Sequence, residues 1–224
     1  DKELARRVRL TVSCTDCDEL PKVENAGSTV TVDGVEAQVM HNGILVEKGG
    51  YFGDWMAEII RCLEGHHEPQ EEIVFAKIID RLRSSGRGPQ TAIELGCFWS
   101  FYSLWFAHEL QDYQVLAMEP DPLNLDVGRR NFALNKKDAQ FLQAIVGVSP
   151  GEMLEFTSET DGSVHLVKQY NLQMLMDLAG FDHVDLLMCD IQGGEDFFFA
   201  QSLELLKSGK VRFAIISTHH FRIS

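Results

Sequence analysis

From Thr91 to Ile216 the sequence alternates short, continuously apolar runs with longer amphipathic ones. "TAIEL", "YQVLAM", "AQFLQAIVG", "VDLLMC" and "VRFAII" have the length and apolar content of fully buried strands. Between them, "FYSLWFAHEL", Pro122 to about Leu134, "NLQMLMDLAG" and "GEDFFFAQSLELLKSG" read as helices. Successive strands joined through helices pair in parallel, because a parallel neighbour is reached only by a crossover. Helices then cover both faces of the sheet, which is why its strands carry no polar face. The expected fold class is therefore α/β, a doubly wound and mostly parallel sheet. Phe199, Leu203 and Leu206 are expected on one face of the last helix, and residues 151–168 read as a hairpin or loop. Trp99, Trp105 and the run Phe197 to Phe199 read as core.

The first fifty residues follow a different pattern. "TVTVDGVEAQVMHNGILV" places Asp33-Gly34 and Asn42-Gly43 between β-prone runs, the signature of two tight hairpins. A short helix is expected from Asp54 to Cys62 or Leu63, with Gly65 ending it. "HHEPQEEIVFAKIIDRLRSSG" then starts a helix at Pro69, with Glu71 and Glu72 in its first turn. Phe75, Ile78, Ile79 and Leu82 give that helix one core-facing stripe. We divide the chain into a strand-rich extension over 1–65 and a core domain over 66–224.

Composition removes several classes. The 224 residues carry 34 acids against 20 bases, a formal net charge of -14. A nucleic-acid partner is disfavoured, since phosphate binding needs a basic surface. No apolar run reaches membrane-spanning length, and the N-terminus lacks the apolar stretch of a signal peptide. Of the five cysteines, Cys97 and Cys189 sit in apolar settings, which fits reduced thiols and a cytoplasmic location. Cys14 and Cys17 form a lone CxxC. A structural zinc site needs four ligands, and no second CxxC is present.

Chemistry concentrates at the strand ends. In sheets of this kind ligands bind beyond the carboxyl ends of the strands, where the strand order reverses. The first strand runs into "ELGCFWS". Gly96 tolerates unusual dihedrals and close approach, and Glu94 can accept hydrogen bonds from an ammonium or from backbone donors. The second strand ends in "AMEPDP", where Glu119 can grip two ribose hydroxyls with its two oxygens. Together the two acids suit a nucleoside ligand that carries positive charge. A dinucleotide fits less well. The G-x-G-x-x-G pattern is absent, the register reading Gly96, Phe98 and Phe101, and a pyrophosphate would meet the carboxylate of Glu94.

These stretches resemble the FkbM-type family of S-adenosylmethionine-dependent methyltransferases, a class I, Rossmann-like group. The first motif of that family resembles D-V-G-A-N-I-G-Y-Y-S-L and stands here as "ELGCFWSFYSL", with Glu94, Gly96, Tyr102, Ser103 and Leu104 in register. The second resembles F-E-P-x-P followed by spaced asparagines, here Glu119, Pro120, Pro122, Asn131 and Asn135. The third resembles K-I-D-V-E-G-A-E and reads "MCDIQGGE", with Asp190, Gly193 and Glu195 matching. The resemblance covers about residues 70 to 220. "HHEPQEE" and "STHH" resemble marks of a subgroup linked to sugar or surface-polysaccharide modification. Ser100 stands where the family has a second glycine, and Met188 and Gln192 replace a lysine and a glutamate. The chain stops soon after the fifth core strand, where such folds add a β-hairpin.

The resemblance implies S-adenosylmethionine as cofactor and methyl transfer to a hydroxyl oxygen of a sugar, polysaccharide or related small metabolite. Glu94, Gly96, Ser100, Ser103, Glu119 and Pro120 are the expected cofactor residues. Gln70 or Glu71 can reach the cofactor from the helix start, and His66, His67 and Gln192 are candidates for the acceptor side. An alcohol needs a base, or a metal that acidifies it. Asp190 with His219 or His220 is the candidate base system, with Thr218 beside it. The alternatives are a divalent cation held by Asp190 and a histidine, or a polar lip. Tyr51 and Trp55 are candidates for a lid. The hairpin-rich extension can serve as a dimer arm, giving a homo-oligomer. Two other classes stay open, a nucleotide-cofactor oxidoreductase and a non-catalytic cofactor-binding module.

Overall fold

The computed structural model describes residues 2–217, with side chains from residue 5 onward. The extension begins with a helix the sequence pattern did not suggest, α1 (Lys2–Val12). It continues as a three-stranded antiparallel sheet of β1 (Thr29–Val32), β2 (Val35–Val39) and β3 (Leu45–Glu47). The β1–β2 turn is made by Asp33 and Gly34 at φ 50 and 84, both left-handed as a two-residue hairpin of the matching twist requires. Helix α2 (Asp54–Cys62) has Gly53 at its N-cap, so Asp54 is its first helical residue. Helix α3 (Pro69–Arg83) starts at Pro69 and buries Phe75, Ile78, Ile79 and Leu82 as its stripe predicts.

The core follows in strict alternation: β4 (Gln90–Leu95), α4 (Phe101–Glu109), β5 (Tyr113–Glu119), α5 (Pro122–Leu134) and β6 (Gln140–Val146). After it come β7 (Met153–Thr157), β8 (Val164–Tyr170), α6 (Leu172–Ala179), β9 (Val184–Cys189), α7 (Glu195–Lys207) and β10 (Val211–Ile216). The seven-stranded sheet has the order β10-β9-β4-β5-β6-β8-β7. All neighbours are parallel except the β7–β8 hairpin, which forms where the sequence pattern reads residues 151–168 as a hairpin or loop, ends two residues later at Tyr170, and widens the sheet at one edge. β4 pairs with β5 on one side and β9 on the other, so the order reverses there.

Alternation along β4 assigns its side chains to two cores. Ile93 and Leu95 face α6 and α7 in a cluster with Leu175, Met176, Leu187 and Phe198. Ala92 faces the other cluster, made by α3, α4 and α5 together with Met40, Ile44 and Val46 of the extension and Ile59 and Ile60 of α2. The extension therefore shares one core with the sheet. Helix α4 is apolar all round because the sheet, α3 and the extension enclose it, and every residue from Phe101 to Ala107 is buried. Each of its large side chains contributes about 1.5–3 kcal/mol by leaving water. On α7 the Phe199–Leu203–Leu206 face is not the buried one. Phe198 and Ser202 are buried, whereas Leu203 is 45% exposed, because the helix turns its Phe198 edge to the sheet. No helix among the described residues is long and apolar enough to cross a membrane.

Candidate functional site

The loop "GCFWS" between β4 and α4 is strongly contorted. Gly96, Phe98 and Ser100 all have positive φ, at 73, 42 and 59. A Cβ on Gly96 would stand 1.8 Å from the carbonyl oxygen of Asp190. This glycine therefore lets the ends of β4 and β9 come together, a tighter demand than room for a ligand. A non-glycine residue in this region costs about 1–3 kcal/mol, and Phe98 and Ser100 both bear that strain.

The loop is held by the acids that flank it. Glu94 lies at the end of β4, 6% exposed, and its Oε2 accepts from the Ser103 N–H at 2.9 Å. Ser100, the N-cap of α4, makes no capping bond, so Glu94 supplies that acceptor from the neighbouring strand. Burial raises the Glu94 carboxyl to about 8, against the bonds from Ser103 and with help from Asp190 and Glu119. Glu119, at the end of β5, accepts from Phe98 N–H at 3.0 Å and from Asp121 N–H at 3.1 Å. Burial raises it to about 7. Asp190 and Glu119 thus both act on Glu94 at the carboxyl ends of β4, β5 and β9, the point where strand order reverses. The hydroxyls of Ser100 and Ser103 are buried there without a hydrogen-bond partner among the described residues. Pro120 is half-buried at the same edge.

The start of α3 reaches this edge from the other side. Ser217 donates its hydroxyl to Glu71 Oε1 at 2.5 Å, and its N–H to the Cys189 carbonyl at 3.0 Å. Glu71 is therefore tied to the ends of β9 and β10. Thr218, His219 and His220 lie outside the described residues. Gln70 and Gln192 are both exposed.

His66 and His67 do not stand on an open wall: each is 1% exposed. Both surround Glu72, which is wholly buried. Glu72 Oε1 accepts from the N–H groups of His67 and Glu68 at 2.8 and 3.0 Å, completing the α3 start. Its Oε2 lies 2.5 Å from His66 Nδ1, and its Oε1 lies 2.8 Å from His67 Nδ1. Burial disfavours the His67 cation, but Glu68 and Glu72 outweigh it and raise the imidazole to about 10. Glu72 is held well below the carboxylate range: burial works against its charge, and His67 and His66 overcome it. His41 stacks on His66 at 4.2 Å, and burial lowers it to about 3.

Sequence reasoning gave Tyr51 only a lid role. In the structure its ring stacks flat on Trp99 at 4.6 Å and meets the edge of Phe98 at 5.0 Å. Its hydroxyl, like that of Tyr102, lies 3.4 Å from the Glu68 carboxylate. Burial, then Glu68 and Asp190, push the Tyr51 phenol well up. This links the extension to the acidic edge, and no local pattern around Tyr51 signals it.

A scan against models of protein families finds no match to the chain, and a search among curated proteins finds none. Solved structures do match. WbdD, described as a bifunctional kinase-methyltransferase, is 16% identical in its complex with the inhibitor LY294002, at a TM-score of 0.44. That match covers 66% of this chain and 29% of WbdD. The N-terminal domain of human METTL16 in complex with SAH is 13% identical at a TM-score of 0.44, covering 66% of this chain and 54% of that one. The human methyltransferase 10 domain containing protein is 16% identical at 0.38, covering 64% and 60%. The chain thus spans less than two thirds of each of these proteins. No residue role is carried over from them.

Proposed function

We propose that the chain binds S-adenosylmethionine and promotes methyl transfer to a hydroxyl oxygen of a sugar, polysaccharide or related small metabolite. One observation carries this reading: Glu94, Glu119 and Asp190 converge at the switch point of the sheet. Three acids there fit a cationic nucleoside and oppose a pyrophosphate. The resemblance of the three motifs to the FkbM-type family points the same way.

When bound, the cofactor supplies an electrophilic methyl group on a sulfonium. Glu119 would hold the ribose hydroxyls, keeping its backbone donors on its remaining lone pairs. Glu94 would face the positive portion of the ligand and keep α4 in register through Ser103. Asp190 would orient a base at the same edge, for which His219 and His220 are the candidates. Those two histidines are proposed from the sequence motif; Ser217, just before them in the chain, is held at this edge by the Glu71 carboxylate. The oxygen nucleophile loses its proton to that base as the new bond forms.

A second reading, a cofactor-binding module without catalysis, is favoured by one feature. Both oxygens of Glu119 already accept backbone N–H groups. Titration calorimetry with S-adenosylmethionine and with NADH, followed by a methyl-transfer assay on hydroxylated sugars, tests both. Binding of S-adenosylmethionine with turnover supports the enzyme. Binding without turnover on any acceptor selects the module, and NADH binding in its place overturns both.

A further inference from the structure

The lone CxxC is not alone in space. Cys14 and Cys17 line a cavity of about 200 Å³ whose wall also includes Cys62 and His66. Along the chain these four residues read C-x2-C and then C-x3-H, two ligand pairs at spacings usual in structural zinc sites. Helix α2 ends at Cys62, and the turn after it carries His66, so the second pair spans one chain reversal. The first pair sits on the turn that follows α1.

Three observations show a site part-built. Cys17, His66 and Glu72 are all buried, with ligand atoms within 4.8 Å of one another. His66 gives its Nδ1 to Glu72 at 2.5 Å, while its Nε2 is buried without a hydrogen-bond partner among the described residues. This is the arrangement of a metal-binding histidine. A carboxylate fixes one ring nitrogen and orients the other, unprotonated, toward the ion. An orphaned imidazole nitrogen in a dry interior is otherwise costly. Cys17 Sγ donates to the Pro69 carbonyl at 3.0 Å, and the other two thiols stand outside this cluster, Cys14 toward Asp16 at 2.8 Å and Cys62 toward Glu58 at 3.6 Å, so binding an ion requires all three to turn into the cavity.

We propose that Cys14, Cys17, Cys62 and His66 bind one zinc ion tetrahedrally, with Glu72 orienting His66 from behind. Four protein ligands leave no open position, so the ion is structural. Three thiol protons pass to solvent as three thiolate–zinc bonds form, and no electron is transferred. The ion would clamp α1 and α2 of the extension to the start of α3. Through Glu72, it would also set the histidine hub behind Tyr51 and Tyr102. The site is independent of the methyl-transfer reading.

The test uses the full chain purified without chelator. Elemental mass spectrometry is expected to find one zinc per chain. The demetallated chain titrated with cobalt(II) is expected to show thiolate-to-cobalt charge transfer and the strong visible bands of a tetrahedral ion. Cys14→Ser and Cys62→Ser should each lose part of the charge-transfer intensity, whereas Cys189→Ser should keep all of it. Glu72→Gln should weaken cobalt binding by about 10–100-fold. Should the variants not fold, alkylation of the unaltered chain decides the matter. Cys14, Cys17 and Cys62 should react only after a chelator is added. Absence of zinc with no cobalt spectrum, full intensity in Cys62→Ser, chelator-independent alkylation, or a Cys14–Cys17 disulfide in the purified chain would each overturn the proposal.

Discussion

Replacing Glu94 by glutamine should make the protein more stable, and increasingly so as pH rises. The carboxyl goes from 4.5 to about 8 on folding, mainly through burial. The folded state therefore holds this proton more tightly than the unfolded chain. Stability from the group is complete below pH 4.5 and is lost as pH climbs toward about 8. At about 1.4 kcal/mol per tenfold change in proton affinity, the full loss has a ceiling of about 5 kcal/mol, of which about 3 is reached by pH 7. Local relaxation and water entry reduce this, leaving ~1–3 kcal/mol at neutrality. Glutamine resembles the protonated acid. Its oxygen can still accept from Ser103 N–H, and its amide can donate toward Asp190 and Glu119. Urea unfolding at pH of about 5, 6, 7 and 8 reads the effect. The two curves of stability against pH should nearly meet at the acid end and diverge toward pH 8. A residual slope should remain in Glu94→Gln, because Glu119 also rises, to about 7. A gain independent of pH, or a loss at every pH, would show that Glu94 is not a buried acid held against its charge. The same change should weaken S-adenosylmethionine binding, a trade of stability against function.

Other outcomes follow from the same geometry. Glu119→Ala should weaken S-adenosylmethionine binding by about 1–3 kcal/mol in calorimetry, through loss of charge-assisted bonds; unchanged affinity refutes its role. Gly96→Ala sets a methyl 1.8 Å from the Asp190 carbonyl at φ 73 and should cost at least ~3 kcal/mol in urea unfolding or prevent folding. Glu72→Ala should destabilise by about 3–5 kcal/mol near neutral pH, since it strands buried histidines. Glu72 is held low in the folded state, so that difference should shrink as pH falls below 4.5. S-adenosylmethionine affinity should rise from pH about 6 to about 8, as Glu94 and Glu119 ionise; affinity falling over that range would argue against carboxylates gripping the ligand.

The parallel sheet was legible because its strands are apolar on both faces and its helices have periodic stripes, and both patterns are local. The hairpins at Asp33-Gly34 and Asn42-Gly43 were legible for the same reason, since turn residues act locally, although the second connection is longer than two residues, with Met40 N–H bonded to the Ile44 carbonyl and Gly43 alone left-handed. Helix α1 was not, because its polar sequence "KELARRVRLTV" gains its burial only from α2 and the neighbouring turn. The buried face of α7 was not legible because three consecutive phenylalanines satisfy more than one stripe, and the sheet chooses Phe198. At the site, Glu94 and Glu119 were legible from their position at strand ends. The histidine hub was not. His41 and Glu72 are 31 residues apart, and nothing local says that one β-turn will place its imidazole over a helix start. Cys62 and His66 were hidden as a ligand pair in the same way.

The two buried acid systems of this protein differ in what neutralises them. Glu72 sits as deep as Glu94, yet its charge is retained, because His67 and His66 stand beside it. Around Glu94 and Glu119 the groups that act most strongly are hydrogen-bond donors and further acids. Two carboxyls pushed toward neutrality at the switch point of a parallel sheet are a standing cost to the folded chain. At Glu94 a purely structural role would be served as well by glutamine, whose one oxygen accepts the Ser103 N–H without that cost, whereas Glu119 uses both oxygens on Phe98 and Asp121. A carboxylate at Glu94 gains over the amide where a positive group arrives from outside, which is what the sulfonium of the proposed ligand would bring.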